Sequence, residues 1–284
     1  MKFWLALAFV ETDQTLALAR AADAAGYHGI TVSDHLFAPQ ERRSDYPYSP
    51  DGAPPFTDET PWPDPWVLIA AMAAATENIR FTTNVYVAPL RELFTVAKLV
   101  STAAVLSNNR VTMGAAPGWC VEEFDQVGQA FKGRGARLEE MIAVLRDLWA
   151  GGWVEHHGKH FDFAPLRIEP VPSARVPIYI GGHSERALAR AAAIGDGWIG
   201  NAYSPEDAEH YLGLMRDQLK AADRLDDPDF EVIIALKARP TPELHDQVAS
   251  LGATGLLCAP WMMAEKLDDR IAAIDGFGKY FCQA

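Results

Sequence analysis

Ser33-Asp34-His35 sets an imidazole, which takes or gives a proton near neutral pH, beside a carboxylate suited to bracing a turn. Direct chemistry and a purely structural role are both open to His35. Gly181-Gly182-His183-Ser184 offers something different. Two glycines leave backbone N–H groups uncovered, and Ser184 with Glu185 opens a helix whose positive end faces the same spot. Such a turn holds a phosphate, or it is a tight turn with a serine cap and no ligand. Between these strings lie Thr83-Asn84-Val85-Tyr86 and the small-residue run Gly114-Ala115-Ala116-Pro117-Gly118, which ends in Trp119 and Cys120. A flat ring system can lie against backbone there with Trp119 as a wall; the alternative is a core tryptophan over a tight loop.

His156, His157 and His160 invite a test for metal binding. Neighbours in an extended chain point to opposite faces, so His156 and His157 cannot chelate one ion without distortion, and no metal is expected. Cys120, Cys258 and Cys282 are too few and too scattered for a disulfide framework or a zinc cluster, which fits a reduced, cytoplasmic setting.

The elements that would bring these groups together are legible as eight short apolar runs, each followed by an amphipathic helix, the pattern of buried parallel strands. Strands are expected over residues 3–10, 29–33, 80–87, 110–115, 177–180, 197–200, 231–238 and 255–259. Their helices are expected over 13–25, 65–76, 93–106, 134–150, 185–193, 205–222, 243–251 and 264–274. Two alternating stretches, 154–157 and 160–163, joined at Gly158-Lys159, suit a hairpin inserted before the fifth strand. Eight β-α units predict a (β/α)8 TIM barrel, an α/β fold, as one domain over residues 1–284. A doubly wound sheet would want a glycine-rich fingerprint after the first strand, where the chain reads FVETDQ. In a barrel, reactive groups lie at the C-terminal ends of strands, which is where Asp34, His35, Asn84, Trp119 and Gly181 would fall.

Residues 36–64 break the rhythm with a long proline-rich loop carrying Tyr46, Tyr48, Phe56 and Trp62. Loops of that length are usually functional covers or disordered, and the aromatics favour a lid that packs over substrate, against a surface loop with no chemical role. The 284-residue chain has 25 Lys+Arg against 38 Asp+Glu, a formal charge of -13, which argues against nucleic acid as a partner. The apolar run at the N-terminus stops at Glu11 without a small-residue cleavage site and is too short to span a bilayer, so it reads as a buried first strand and no membrane is expected.

With these strings in view, the chain resembles the luciferase-like monooxygenase superfamily, and within it the branch that uses the deazaflavin coenzyme F420. The resemblance covers residues 2–200. It is carried by VSDHLF from Val32, YPYSPDG from Tyr46, TTNVYVAPLR from Thr82, LSNNRVTMGAAPGW from Leu106, EEF from Glu122, RGARLEEM from Arg134, PIYIGG from Pro177 and GDGW from Gly195. Beyond Asn201 it is loose. The resemblance implies a tricyclic ring held at the C-terminal end of the barrel, with a non-prolyl cis peptide at Asn84-Val85 forming a bulge behind it. It aligns His35 with the histidine beside the reactive ring carbon and Gly181 and Gly182 with the phosphate turn. Asp34, Asn84, Val85, Ala115, Ala116, Gly118, His183 and Ser184 complete the implied cofactor contacts, and His35 and Trp119 are the implied reactive pair.

Where some deazaflavin dehydrogenases carry a glutamate proton donor this chain has Trp119, which weighs against sugar-phosphate dehydrogenase activity. The implied reaction is hydride transfer between F420 and a small-molecule substrate, and family relatives imply a homodimer. One alternative is an FMN-dependent monooxygenase fed by a partner flavin reductase; another is a binding barrel without turnover. A deazaflavin's glutamate tail calls for a basic exit groove, with Arg42, Arg43, Lys132, Arg134 and Arg137 as candidates, although Arg134 and Arg137 equally suit pairing with Glu139 and Glu140.

Overall fold

The apolar runs of this chain are buried on both faces, because helices cover one side of each strand and side chains from the other strands fill the opposite side. In a computed structural model, which describes residues 1–283, the chain runs β1 (Lys2–Ala6), α1 (Thr15–Ala24), β2 (Gly29–Val32), α2 (Pro65–Ala74), β3 (Arg80–Thr83) and α3 (Leu93–Leu106). It continues through β4 (Val111–Ala115), α4 (Val121–Gln126), α5 (Arg134–Ala150) and an antiparallel pair, β5 (Val154–His157) and β6 (Asp162–Leu166). Then follow β7 (Ile178–Gly181), α6 (Glu185–Ile194), β8 (Gly197–Tyr203), α7 (Pro205–Ala221), β9 (Glu231–Leu236), α8 (Pro242–Ser250), β10 (Gly255–Cys258) and α9 (Leu267–Phe277). Strands β1, β2, β3, β4, β7, β8, β9 and β10 close in that order into a parallel barrel, the (β/α)8 architecture expected.

Trp4, Tyr179, Ile199, Ile233 and Leu257 fill the barrel interior, while Phe3, Leu5, Ile30 and Phe81 face the helical layer. Each fully buried Leu, Ile or Phe contributes about 1.5–3 kcal/mol relative to exposure. Large and small residues alternate in this packing: a Cβ on Gly29 would stand 2.2 Å from the Trp4 ring, so the glycine makes room for the indole.

Several expected boundaries move for physical reasons. The first strand stops at Ala6 rather than residue 10, because the chain turns out over the barrel mouth and Phe9 adopts a left-handed backbone with φ 64°. The third strand stops at Thr83, where Asn84-Val85 forms a cis peptide, and pairing resumes at Tyr86 opposite Ala115. The sixth barrel strand, expected to end at residue 200, runs to Tyr203, because a register shift after Ile199 lets Ala202 and Tyr203 pair with Ala235 and Leu236. The second hairpin strand begins at Asp162, not residue 160, since the turn closes through Gly158 N–H donating to the Phe161 carbonyl. The last helix starts three residues later than expected, behind a 3-10 turn over Pro260–Met263. Helix α4 was not foreseen. Among the described residues, no helix is long and apolar enough to cross a membrane.

Candidate functional site

The floor of the site is the interruption in β3. Thr83 Oγ1 donates to the Gly114 carbonyl at 2.7 Å, and a Cβ on Gly114 would sit 1.8 Å from the Thr83 carbonyl oxygen. No side chain fits between β3 and β4 at that height. One strand further on, a Cβ on Gly181 would lie 2.6 Å from Val85. The two glycines let Asn84 and Val85 protrude into a cavity of about 350 Å³, which they line with His35, Ala116, Gly118, Trp119 and Gly182.

Behind this floor, Arg91 donates to both oxygens of Asp34 at 2.6 and 2.7 Å, and Asp34 also accepts from the Val87 N–H at 2.9 Å. Burial pushes the Asp34 carboxyl up, and the guanidinium opposes that push. Asp34 lines the cavity, and its carboxylate braces the turn through Arg91 and the Val87 N–H. Ala115, expected among the cofactor contacts, is fully buried in β4 and is not part of the cavity lining.

His35 Nδ1 lies 3.1 Å from Glu123 Oε2, while Glu123 Oε1 accepts from the Leu36 N–H at 2.7 Å. With Nδ1 facing a carboxylate, Nε2 is the ring nitrogen left for a ligand. Glu123 is 2% exposed, so its partners rather than water fix its orientation. Its neighbour Glu122 accepts from Arg43 N–H at 2.6 Å and from Ser44 Oγ at 2.8 Å. Burial alone would raise the Glu122 carboxyl, but these donors pull it down to about 2. Burial also pushes the Cys120 thiol up to about 12, which makes it a poor nucleophile. Both glutamates are residues that the reading of the sequence left without a role. The signal was two adjacent carboxylates flanked by apolar Val121 and Phe124 just after the small-residue end of the fourth strand.

Anchored by α4, residues 36–64 fold across the mouth. Phe56 and Trp62 pack against His35 at ring distances of 5.1 and 4.9 Å, Tyr46 against Trp119 at 5.2 Å, and Phe9 against Trp62 at 5.8 Å. All four expected lid aromatics line the cavity, and Phe9, missed in the sequence, joins them.

At the opposite wall, Gly182 has φ 112° and its carbonyl accepts from Trp198 Nε1 at 2.6 Å, which holds the turn against β8. Ser184 Oγ caps α6 by accepting from the Ala187 N–H at 3.3 Å. His183 stacks on Tyr211 at 5.1 Å and meets the Tyr48 ring edge at 4.8 Å. Its Nδ1 is buried without a hydrogen-bond partner, and burial holds its imidazole below the usual range. The Ser184 cap takes only the Ala187 N–H of the α6 N-terminus, and that helix end with an unpartnered imidazole nitrogen beside it fits a phosphate-bearing group.

This turn opens into a second recess of about 670 Å³, which shares Pro117, Arg134, Ser184 and Arg190 with the cavity and adds Arg186 and one carboxylate, Glu139, so that three arginines face a single acid there. A Cβ on Gly135 would meet the Arg190 guanidinium at 2.6 Å, so that glycine lets the arginine lie across the recess. Of the five expected basic residues, only Arg134 lines it. Arg42 lies over Phe56 and Trp119, Arg43 pairs with Asp125, and Arg137 lies over Phe161. The alternative pairing fails too: Glu139 pairs with Arg190, and Glu140 with His156 and the N–H groups of His160 and Phe161. His157 engages Asp162 at 2.6 Å.

The luciferase-like monooxygenase family matches residues 6–254, and the chain belongs to it. It is similar to an uncharacterised protein of Mycobacterium tuberculosis, 36% identical over 216 residues that make up 76% of this chain and 75% of that one. It is also similar to the F420-dependent glucose-6-phosphate dehydrogenase of the same species, at 29% identity over 81% of this chain and 66% of that one. Among solved structures, the monooxygenase RslO1 from Streptomyces bottropensis superposes with a TM-score of 0.78 at 17% identity, covering 100% of this chain and 99% of the other. The coenzyme F420-dependent tetrahydromethanopterin reductase from Methanopyrus kandleri gives 0.76 at 15% identity, covering 98% and 97%. The chain is thus a member of an oxidoreductase family whose members include F420-dependent enzymes and monooxygenases.

Proposed function

We propose that the protein is an F420-dependent oxidoreductase that transfers hydride to or from a small organic substrate. The observation that carries this reading is the arginine-lined recess continuous with the phosphate turn. FMN ends at its phosphate and has no use for that recess, whereas the deazaflavin coenzyme continues beyond its phosphate into an acidic glutamate tail. Gly181, Gly182, His183 and Ser184 would hold the phosphate, Arg134, Arg186 and Arg190 the tail, and Asn84, Val85, Ala116 and Gly118 the ring. When bound, the cofactor supplies a ring carbon that exchanges hydride with substrate.

The chain supplies orientation, dryness and a proton path. His35, with Nδ1 held by Glu123, takes a substrate proton at Nε2 during oxidation and returns it during reduction. Glu123 stabilises the imidazolium that forms. Tyr46, Phe56, Trp62 and Trp119 exclude water from the pair. On this reading no flavin reductase is needed. His35→Ala is expected to slow single-turnover hydride transfer by about 10²–10⁴-fold with cofactor affinity little changed. Unchanged transfer would remove His35 from the mechanism.

A further inference from the structure

The mouth of the barrel holds a second cavity, of about 480 Å³, on the side away from the phosphate turn. It meets the first at Asn84, which lines both. It is also lined by Gly200 and Asn201 of β8, Ala235 of β9 and Cys258 of β10, together with Phe3, His245 and Phe277. Its size is that of pockets that enclose small organic ligands.

The lining is chemically one-sided. No Lys, Arg, Asp or Glu occurs among the described residues that form it, in contrast to the arginines of the neighbouring cavity. His245 packs its ring at 5.2 Å from Phe3, and burial holds its imidazole below the usual range, which favours the neutral form. The Cys258 thiol donates to the Trp4 carbonyl. The remaining side-chain polar groups are the amides of Asn84 and Asn201, and Asn84 also lines the first cavity. At the rim stands Met262, 52% exposed, an unbranched side chain able to adapt to varied apolar shapes. An anion moved into this space would lose its hydration and find no cation in exchange.

We infer that this cavity is the substrate compartment and takes an uncharged, mainly hydrocarbon molecule whose single oxygen function is presented at Asn84, the residue shared with the cavity that holds His35. The inference rests on the reading of the first cavity as the cofactor site, and it names the substrate class of that reaction. Phosphorylated sugars are excluded by the same chemistry.

The test uses the whole protein without cofactor and the neutral fluorophore N-phenyl-1-naphthylamine as probe. The probe is expected to bind at one site per chain and to be displaced by 2-undecanone but not by glucose 6-phosphate. Ala235→Phe, which fills the cavity, and Met262→Glu, which charges its exposed rim, should each weaken probe binding at least about tenfold. Both variants should keep the wild-type circular dichroism and F420 affinity. Probe binding that neither variant alters, or equal displacement by the sugar phosphate, overturns the inference. F420 binding without probe or ketone binding sinks it alone, whereas probe and ketone binding without F420 binding sinks the cofactor reading and leaves the apolar compartment standing.

Discussion

At the scale of single residues, buried carboxylates with defined partners set the geometry of the site. In the proposed mechanism Glu123 acts through His35, 3.1 Å away, and removing its charge takes away the group that would face the imidazolium. Glu123→Gln should slow the hydride-transfer step by about 10- to 100-fold with cofactor affinity unchanged, and Glu123→Asp should recover part of the loss. A change in cofactor affinity with no change in rate would make Glu123 a purely structural anchor. Asp34 does a different job. Asp34→Ala leaves the Arg91 guanidinium, itself mostly buried, without its bidentate partner, at a cost of about 3–5 kcal/mol in urea unfolding. A loss below about 1 kcal/mol would mean that the pair does not brace the turn. His35 was legible from its position at a strand end. Its partner was not, because nothing in a linear string shows that Glu123, 88 residues away, points back at it.

At the scale of elements, the lid and the β3 interruption are the parts under most constraint. Glu122 ties residues 43 and 44 to α4, and its carboxyl lies at about 2 in the folded chain, below the ordinary value of 4.5. A depressed carboxylate contributes stability that is complete above the ordinary value and is lost as pH falls through the folded one. The lid should therefore stay docked at pH 5 and loosen between about 4.5 and 2, read as rising acrylamide quenching of tryptophan fluorescence. Glu122→Gln should show quenching already raised at neutral pH; a wild-type opening centred near pH 7 would contradict the assignment. Gly114→Ala forces a methyl onto the Thr83 carbonyl and should destabilise by about 1–3 kcal/mol or more, with the bulge displaced. The alternation of strand and helix was readable because buried parallel strands are uniformly apolar, and the lid because its prolines and aromatics suit neither period. Helix α4 escaped because six residues carry too few turns to show periodicity, and Arg186 and Arg190 because they read as ordinary polar positions of an amphipathic helix.

At the scale of the whole molecule, one end of the barrel carries a cavity walled largely by aromatic residues, which opens beside α6 into a recess bearing arginines, and a second, apolar cavity lined by residues of β8, β9 and β10 that meets the first at Asn84. The chain's net charge of -13 makes the local cluster of Arg134, Arg186 and Arg190 more informative, since it stands against the overall field. Half-exposed pairs are individually weak, about 0–1 kcal/mol, so their effect on an acidic tail is expected from the cluster as a group. The most direct measurement is equilibrium titration of wild type and of the Arg186→Ala/Arg190→Ala double variant with F420 and with FMN, at fixed low salt. F420 should bind wild type at least about tenfold more tightly than FMN, equivalent to 1.4 kcal/mol, and the double variant should lose most of that preference while its FMN affinity stays put. FMN binding as tight as F420 or tighter, or a preference that survives loss of both arginines, would contradict the account.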